Sequence, residues 1–542
     1  MRRSVIGALA AVGVLVVAAV VYVVGFRGSD NAAETAAKRY LAAWQRGDYA
    51  TMRSLVTDPA AFTVPKTESD LGVATRRIRL LKTNKKVVAF DATLGLGAGN
   101  SWHYVGSLDL AKQGKGWKIA WSPAAYYPAL KPGQRLRTAR TWPDRADVLG
   151  ADGSSLGRSP SGSVQQLVGQ VVPAAAADVQ RLGSPYQAGD LVGSDGFERQ
   201  YEKRLAGRPG LTVQLLDDQG HVVTTLQRFG GTPGTALKTT IDPKVQSAAG
   251  QALGSVTKPA SLVALRPSTG EVLAVANKPG GYNRALLGQY PPGSTFKVIT
   301  ASALVAGGIS SDSKVPCPAT TSVGGHTFHN NGFEQLGNTS LRKAFAQSCN
   351  TTFARLAVDR LGKQRLAQVA TQFGFGVPLI AGLPAARASF PAPADDTALA
   401  ADAFGQGQVL ASPLNMASVA GAIAAGTWNA PRFVTAADAA QAADAGGKQT
   451  AAPAKLEPGV VSALRSLMPA VISEGTAKGV DFPSGTAGKT GTAEFGSGSN
   501  PPTHAWFIGY RGDLAFAVIV EGGGFGAKVA APIASAFLKG LP

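Results

Sequence analysis

Two cysteines in 542 residues, Cys317 and Cys349, are too few for a disulfide scaffold. So low a count fits a reducing compartment, or an exported bacterial protein that relies on its core. Cys349 is expected to pack as a small buried apolar residue, with a bridge to Cys317 as the alternative, since connectivity cannot be read from sequence. Histidine is also scarce, at five residues. His326-Thr327-Phe328-His329 lies near Cys317 but lacks a matching second pair of ligands, so it reads as a loop with two histidines and not as a metal site. Acidic residues are outnumbered, 34 to 53, which leaves a net charge of +19. The first 145 residues hold 22 Lys and Arg against 9 Asp and Glu, so +13 of that excess lies there. A basic surface suits anionic partners such as lipid headgroups or acidic wall polymers. With no nucleic-acid motif and no basic stripe interleaved with aromatics, nucleic acid is discounted as a partner.

The chain is too long for one core, and its length implies three or four domains. Met1-Arg2-Arg3 precedes an apolar run from Val5 to Phe26. As a helix that run would reach about 33 Å, enough to cross a bilayer core. The two arginines would stay cytoplasmic and the rest of the chain would lie outside. A cleaved signal peptide is the rival reading; the run is longer than a signal core and no A-x-A pattern closes it, so an uncleaved anchor over 1–28 is expected.

The chain is organised around Tyr290-Pro291-Pro292-Gly293-Ser294-Thr295-Phe296-Lys297. Pro292-Gly293 reads as a turn, and an apolar continuation from Val298 reads as a helix starting at the serine. Residues three apart share a helix face, which brings Lys297 to the Ser294 hydroxyl. A serine needs a base to become a nucleophile, and a desolvated lysine can be that base. Ser-x-x-Lys occurs four times, also at Ser255/Lys258, Ser311/Lys314 and Ser340/Lys343. Only the Ser294 copy has both the Pro-Gly lead-in and the apolar helix, so the other three read as solvated surface pairs.

Two later stretches reinforce it. Ser348-Cys349-Asn350 lies in an apolar, helix-like run from Leu341 to Leu356, and Lys489-Thr490-Gly491-Thr492 reads as part of a strand. Ser-x-Asn alone means little, since Ser29-Asp30-Asn31 also fits. The ordered set Ser-x-x-Lys, Ser-x-Asn, Lys-Thr-Gly is the signature of serine acyltransferases that react with penicillin. In these residues the chain resembles class B penicillin-binding proteins over about 236–542. Phe404-Gly405-Gln406-Gly407, Glu474-Gly475-Thr476 and Ala505-Trp506-Phe507-Ile508-Gly509-Tyr510 extend the resemblance.

The expected fold is a multidomain α+β chain. A small α+β unit over 29–145 has a helix from Ala32 to Arg46 and strands over Val87–Leu94, His103–Leu110 and Trp117–Trp121. Its Tyr40–Tyr49 phrase resembles the nuclear-transport-factor-like pedestal of some class B proteins. No polar groups converge there by sequence, so it reads as structural. Residues 146–235, with Gly196-Phe197-Glu198, resemble the non-catalytic linker or dimerisation module. The catalytic domain, 236–542, opens with Asp242-Pro243, an N-cap and first-turn proline. Val263–Arg266 with Val272–Ala276 forms a hairpin. Thr486–Thr492, Ala505–Tyr510 and Leu514–Glu521 add antiparallel strands flanked by helices. The alanine-rich stretch from Ala436 to Ala454 reads as a disordered insert.

The resemblance implies a peptidoglycan D,D-transpeptidase that needs no metal or organic cofactor. Ser294 would attack the terminal D-alanyl-D-alanine carbonyl and Lys297 would act as general base. Ser348, helped by Lys489, would relay the proton, and Asn350 would bind the substrate amide. The backbone N–H groups of Ser294 and Thr492 would form the oxyanion hole, and Lys489, Thr490, Gly491 and Thr492 would hold the substrate carboxylate. The implied partners are peptidoglycan stem peptides, β-lactams as covalent inhibitors, the membrane through the N-terminal helix, and a separate glycan polymerase. A carboxypeptidase or β-lactamase-like hydrolase would keep the motifs but rarely needs an anchor and two extra domains. A β-lactam sensor would carry a cytoplasmic signalling domain, often with His-Glu-x-x-His, and this chain has neither. A non-enzymatic wall-binding scaffold is at odds with the complete motif set. Glu334 and Glu494, the acids nearest the motifs, are no obvious deacylation bases.

Overall fold

The helix Asn31–Arg46 buries Ala33, Ala37, Tyr40, Leu41 and Trp44, the stripe that a 3.6-residue repeat lays on one face. This computed structural model describes residues 31–84, 86–97, 99–498 and 501–542. The expected anchor over 1–28 lies outside the described residues; among those described, no helix is long and apolar enough to cross a membrane. Two compact units emerge, one running to Thr141 and taking in Pro209–Gly231, the other made of Trp142–Arg208 and Thr232–Pro542.

In the first unit the helix covers an antiparallel sheet of Thr75–Asn84, Val87–Gly95, Ser101–Gln113 and Gly116–Ile119, paired in chain order. Strict alternation from Ser101 to Leu110 turns Trp102, Tyr104 and Leu108 inward. Polar groups do converge here, contrary to the sequence reading. The Glu68 carboxylate, 2% exposed, accepts from Trp44 Nε1 at 2.6 Å, Tyr49 Oη at 2.5 Å and Arg76 Nε at 2.6 Å. These donors come from three separate segments, which is why the sequence does not advertise them. A second sheet pairs Arg135–Thr141 with Gly210–Leu216, and the latter with Val222–Phe229. Leu136, Leu211, Val213 and Leu215 join the first unit's core, so Pro209–Gly231 packs there and not with the linker to which its position in the chain assigns it.

In the second unit Arg145 pairs with Glu198 at 2.5 Å and Glu202 at 2.7 Å. The stretch from Ala436 to Ala454 is ordered, contrary to the sequence reading. Ala439, Ala442 and Ala445 recur every three residues and are buried, and Asp438 pairs with Arg204. Gln200 holds the stretch at both ends of its side of the contact, its carbonyl taking Ala443 N–H at 3.0 Å and its Oε1 taking Asp444 N–H at 3.1 Å.

The second unit's main sheet is antiparallel, with strands β1 (Ala260–Arg266), β2 (Glu271–Lys278), β3 (Ala487–Glu494), β4 (Thr503–Arg511) and β5 (Leu514–Val520) in the order β2-β1-β5-β4-β3. The expected hairpin and three C-terminal strands are all present. β5 is apolar throughout because both its faces are covered. Ala515 lies beneath Gly421 of one helix, Pro413–Ala425, while its neighbour Phe516 meets Phe537 of another, Ala530–Lys539, at 5.8 Å. The Asp242 carboxylate caps Pro243–Ala252, accepting from Lys244 N–H at 2.8 Å. β3 is the sheet edge, which leaves its backbone open to the helical side where Ser294 lies.

Replacing Glu68 by Ala leaves the Trp44 indole N–H unpaired and the Arg76 charge without its carboxylate, with only Tyr49 Oη at 2.7 Å to accept from it, and breaking a buried pair from one side costs roughly 3–5 kcal/mol. Hydrogen exchange should show that loss in the amides of Val87–Gly95 and leave those of β3 unchanged.

Candidate active site

Pro292 and Gly293 set the position of Ser294. Gly293 has φ +53°, and a Cβ there would stand 2.8 Å from the carbonyl oxygen of Thr492. Glycine thus gives both the left-handed turn and the close approach to β3. Gly293 N–H donates to Gly405 O at 2.8 Å, so the Phe404–Gly407 stretch braces the same turn. Ser294 sits in a 3₁₀ turn, Gly293–Phe296, and the α-helix starts at Lys297 and runs to Ala306. The helix therefore begins three residues later than the sequence suggests, yet serine and lysine still share a face.

Lys297 is fully buried, and its Nζ has four polar neighbours: Ser294 Oγ at 3.0 Å, Ser348 O at 2.7 Å, Ser348 Oγ at 3.2 Å and Asn350 Oδ1 at 2.6 Å. The rings of Phe353 and Phe404 lie 5.6 and 5.9 Å from the amine. Burial, and then the charge of Lys489, hold its pKa well below the ordinary lysine value. A neutral amine has two N–H donors and one lone pair. The Ser348 carbonyl and the Asn350 amide oxygen can only accept, so they take both N–H groups. The lone pair is left for a hydroxyl proton, and Ser294 is the nearer hydroxyl.

Ser348-Cys349-Asn350 does not continue one helix. Leu341–Ala346 ends, Ser348 turns left-handed at φ +62°, and Asn350–Leu356 starts a second helix. A non-glycine residue in that region costs about 1–3 kcal/mol. The turn places Ser348 Oγ between two amines, 3.2 Å from Lys297 Nζ and 2.8 Å from Lys489 Nζ. Cys349 is bonded to Cys317, so it is half of a bridge and not the free packing residue that the sequence suggests. Closing a loop of sequence separation 32 is worth roughly 4 kcal/mol by unfolded-state entropy. Asn350 is engaged at both ends, since its Nδ2 donates to His329 O at 3.1 Å. Only its second amide hydrogen is left for a substrate.

Lys489 is also fully buried; its amine donates to Ser348 Oγ and to Thr490 O at 3.0 Å, and lies 5.7 Å from the Phe345 ring. Burial pushes its pKa down to about 7. Thr490 is buried, with its Oγ1 2.6 Å from Thr476 Oγ1. Gly491 packs against Thr295 and Trp506. Thr492 is half-buried and its Oγ1 accepts Gly526 N–H at 3.3 Å, which leaves its own hydrogen free to donate. Ser294, Lys297, Ser348, Asn350 and Lys489 thus form one continuous hydrogen-bonded cluster, with Thr490, Gly491 and Thr492 on the strand beside it.

The other Ser-x-x-Lys copies stand apart. Ser255 and Lys258 are exposed, as is Lys314, and Ser340 Oγ is an N-cap that accepts from Lys343 N–H at 3.1 Å. Glu334 and Glu494 are exposed. Among the described residues no His, Cys, Asp or Glu group could hold a metal ion. Sequence reasoning gave no role to Thr476, Gly526 or the His329 carbonyl. Thr476 had a signal in the Glu474-Gly475-Thr476 resemblance; the other two act through backbone, which no side-chain pattern marks.

Three regions match known families: residues 260–539 the penicillin binding protein transpeptidase domain, 158–239 the penicillin-binding protein dimerisation domain, and 32–134 the NTF2-like N-terminal transpeptidase domain. The peptidoglycan D,D-transpeptidase PbpA of Mycolicibacterium smegmatis is 34% identical over 359 residues, 56% of this chain and 72% of that protein. Crystalline Pseudomonas aeruginosa PBP2 in complex with WCK 5153 is 25% identical, with a TM-score of 0.61 over 74% of this chain and 96% of that one. A chain of a peptidoglycan synthase complex that coordinates polymerization and crosslinking is also 25% identical, with a TM-score of 0.63 over 76% of this chain and 92% of that one. The matched transpeptidase domain spans more than half the chain, and with the motif geometry it leads to one conclusion: this chain belongs to the penicillin-binding protein transpeptidases, in the class B form with an NTF2-like N-terminal domain.

Proposed function

We propose that this chain is a serine-type peptidoglycan D,D-transpeptidase whose reaction centre is the Ser294–Lys297 pair. The observation that carries the reading is the buried Lys297 amine, 3.0 Å from Ser294 Oγ and bonded to two oxygens that can only accept, so that when neutral it has its lone pair left for a hydroxyl. Lys297 takes the serine proton as Ser294 Oγ attacks the penultimate D-alanine carbonyl. The oxyanion is held by the N–H groups of Ser294 and Thr492, each worth about 3 kcal/mol in such holes. The close approach of Gly293 to Thr492 O supports this pairing of turn and strand. The proton passes by way of Ser348, which bridges the two amines, to the departing D-alanine nitrogen. An acceptor amine then attacks the acyl-serine, and the same groups run in reverse. The Thr492 hydroxyl and the Lys489 charge hold the substrate carboxylate. Asn350 positions Lys297 and has one hydrogen to spare for the substrate amide.

None of the groups bonded to Lys297, Ser348 or Lys489 is a carboxylate, which favours an amine acceptor over water activated by an acid. The synthase complex that this chain resembles joins polymerization to crosslinking, and by that likeness the chain works beside a separate glycan polymerase. The apolar start tethers it to the membrane with the catalytic domain outside the cell. The NTF2-like domain serves as a pedestal.

Ser294→Ala should abolish covalent labelling by a fluorescent penicillin, whereas Ser255→Ala and Ser340→Ala should label as the parent does. Persisting stoichiometric labelling of Ser294→Ala would sink the assignment.

The lysines set the pH dependence. Lys297 has a lowered pKa and must be neutral, so acylation falls as pH drops through that value. Lys489 must be charged to attract a carboxylate, and with a pKa of about 7 it loses that charge as pH rises. Second-order acylation rates should therefore trace a bell with a descending limb near neutrality. Lys489→Met should remove that limb and move the ascending limb to higher pH, because a neighbouring positive charge is gone.

The penicilloyl adduct on Ser294 should persist for minutes to hours once free drug is removed, as followed by mass spectrometry. Turnover within seconds would instead mark a β-lactamase-like hydrolase.

A further inference from the structure

The Glu474–Ala477 segment lies outside the three motifs, touches the Lys-Thr-Gly strand and is bonded to the residues just before Ser348. On one side it is fastened to the helix and turn that lead into Ser348. Arg342 Nε donates to Glu474 Oε1 at 2.9 Å, Gln347 Nε2 to Glu474 O at 2.9 Å, and Thr476 N–H to Ala346 O at 3.1 Å. The backbones meet so closely that a Cβ on Gly475 would stand 2.3 Å from Ala346 O. On the other side Thr476 Oγ1 meets Thr490 Oγ1 at 2.6 Å.

Thr490 is 5% exposed, and this is the bond its hydroxyl makes among the described residues. A threonine hydroxyl has one hydrogen. If Thr490 spent it on Thr476, nothing would remain for a ligand; if Thr476 donates, Thr490 keeps a hydrogen to offer. An incoming carboxylate can only accept, so it selects the second arrangement. Thr492 is set up in the same way, its oxygen receiving Gly526 N–H.

We propose that Thr476 is a positioning residue for carboxylate recognition. By donating to Thr490 it turns the Thr490 hydroxyl into a donor for the substrate or β-lactam carboxylate, and it ties that strand to the Ser348 turn. This rests on the acyl-serine reading above and adds a specificity determinant outside its motifs.

The test compares acylation by benzylpenicillin and by its methyl ester, using the full-length chain in detergent. In both reactions Ser294 Oγ bonds to the lactam carbonyl carbon, the C–N bond breaks, and the serine proton ends on the ring nitrogen; only the free acid presents a carboxylate. Thr476→Val should slow acylation by the free acid about tenfold. The ester rate should change less than about twofold, and Thr476→Ser should restore the parent preference, since it restores the donor. Thr490→Val should lose the same preference, and adding Thr476→Val to it should cost nothing more, because coupled residues are not additive. If Thr476→Val slows acid and ester equally, or the two valine substitutions add, the role is structural and the proposal is wrong. A parent chain that neither compound acylates at Ser294 would instead overturn the acyl-serine reading, and this proposal with it.

Discussion

The site depends on keeping one amine dry. An ammonium taken from water into a protein interior loses several kcal/mol of solvation, so Lys297 is easier to bury neutral than charged. The groups around it can be understood as the surroundings that burial requires. The apolar helix that begins at Lys297 and the rings of Phe353 and Phe404 exclude water. The Ser348 carbonyl and the Asn350 amide oxygen satisfy the two N–H groups that would otherwise be left unpaired.

The second lysine makes the arrangement more demanding. Lys297 and Lys489 share Ser348 Oγ, so charging both would set like charges on either side of one hydroxyl. Their protonation is therefore coupled, and one proton shared among two amines and a serine is the state the geometry accommodates. The disulfide to Cys317 holds this turn at its centre, between the serine and the asparagine that both bear on Lys297.

Much of this was legible in the sequence, for a physical reason. Elements set by local pattern came through: the Asn31–Arg46 helix, the hairpin, the C-terminal strands, and the Pro-Gly turn before Ser294. Within the first and third motifs short spacing was enough, since Ser294 and Lys297 share a face and Lys489–Thr492 lies on one strand. Features built from distant backbone were not. The break at Ser348 is invisible in Leu341–Leu356, because apolar content says nothing about one residue's φ. The convergence on Glu68 draws on three segments with no common pattern. The alanine-rich stretch looked like low complexity, yet its alanines recur every three residues and bury against the module that carries Gln200. The segment 209–231 changes compact unit because it pairs with a strand some seventy residues earlier, across the interval from Thr141 to Gly210.

The left-handed backbone at Ser348 limits what can replace it. At this position the residues that best suit the backbone are not the one that bridges the lysines. Glycine or asparagine would occupy φ +62° at lower cost, and each lacks the hydroxyl that joins the two lysines. The turn therefore cannot shed its backbone cost of about 1–3 kcal/mol by such a replacement without also losing the bridge between the amines.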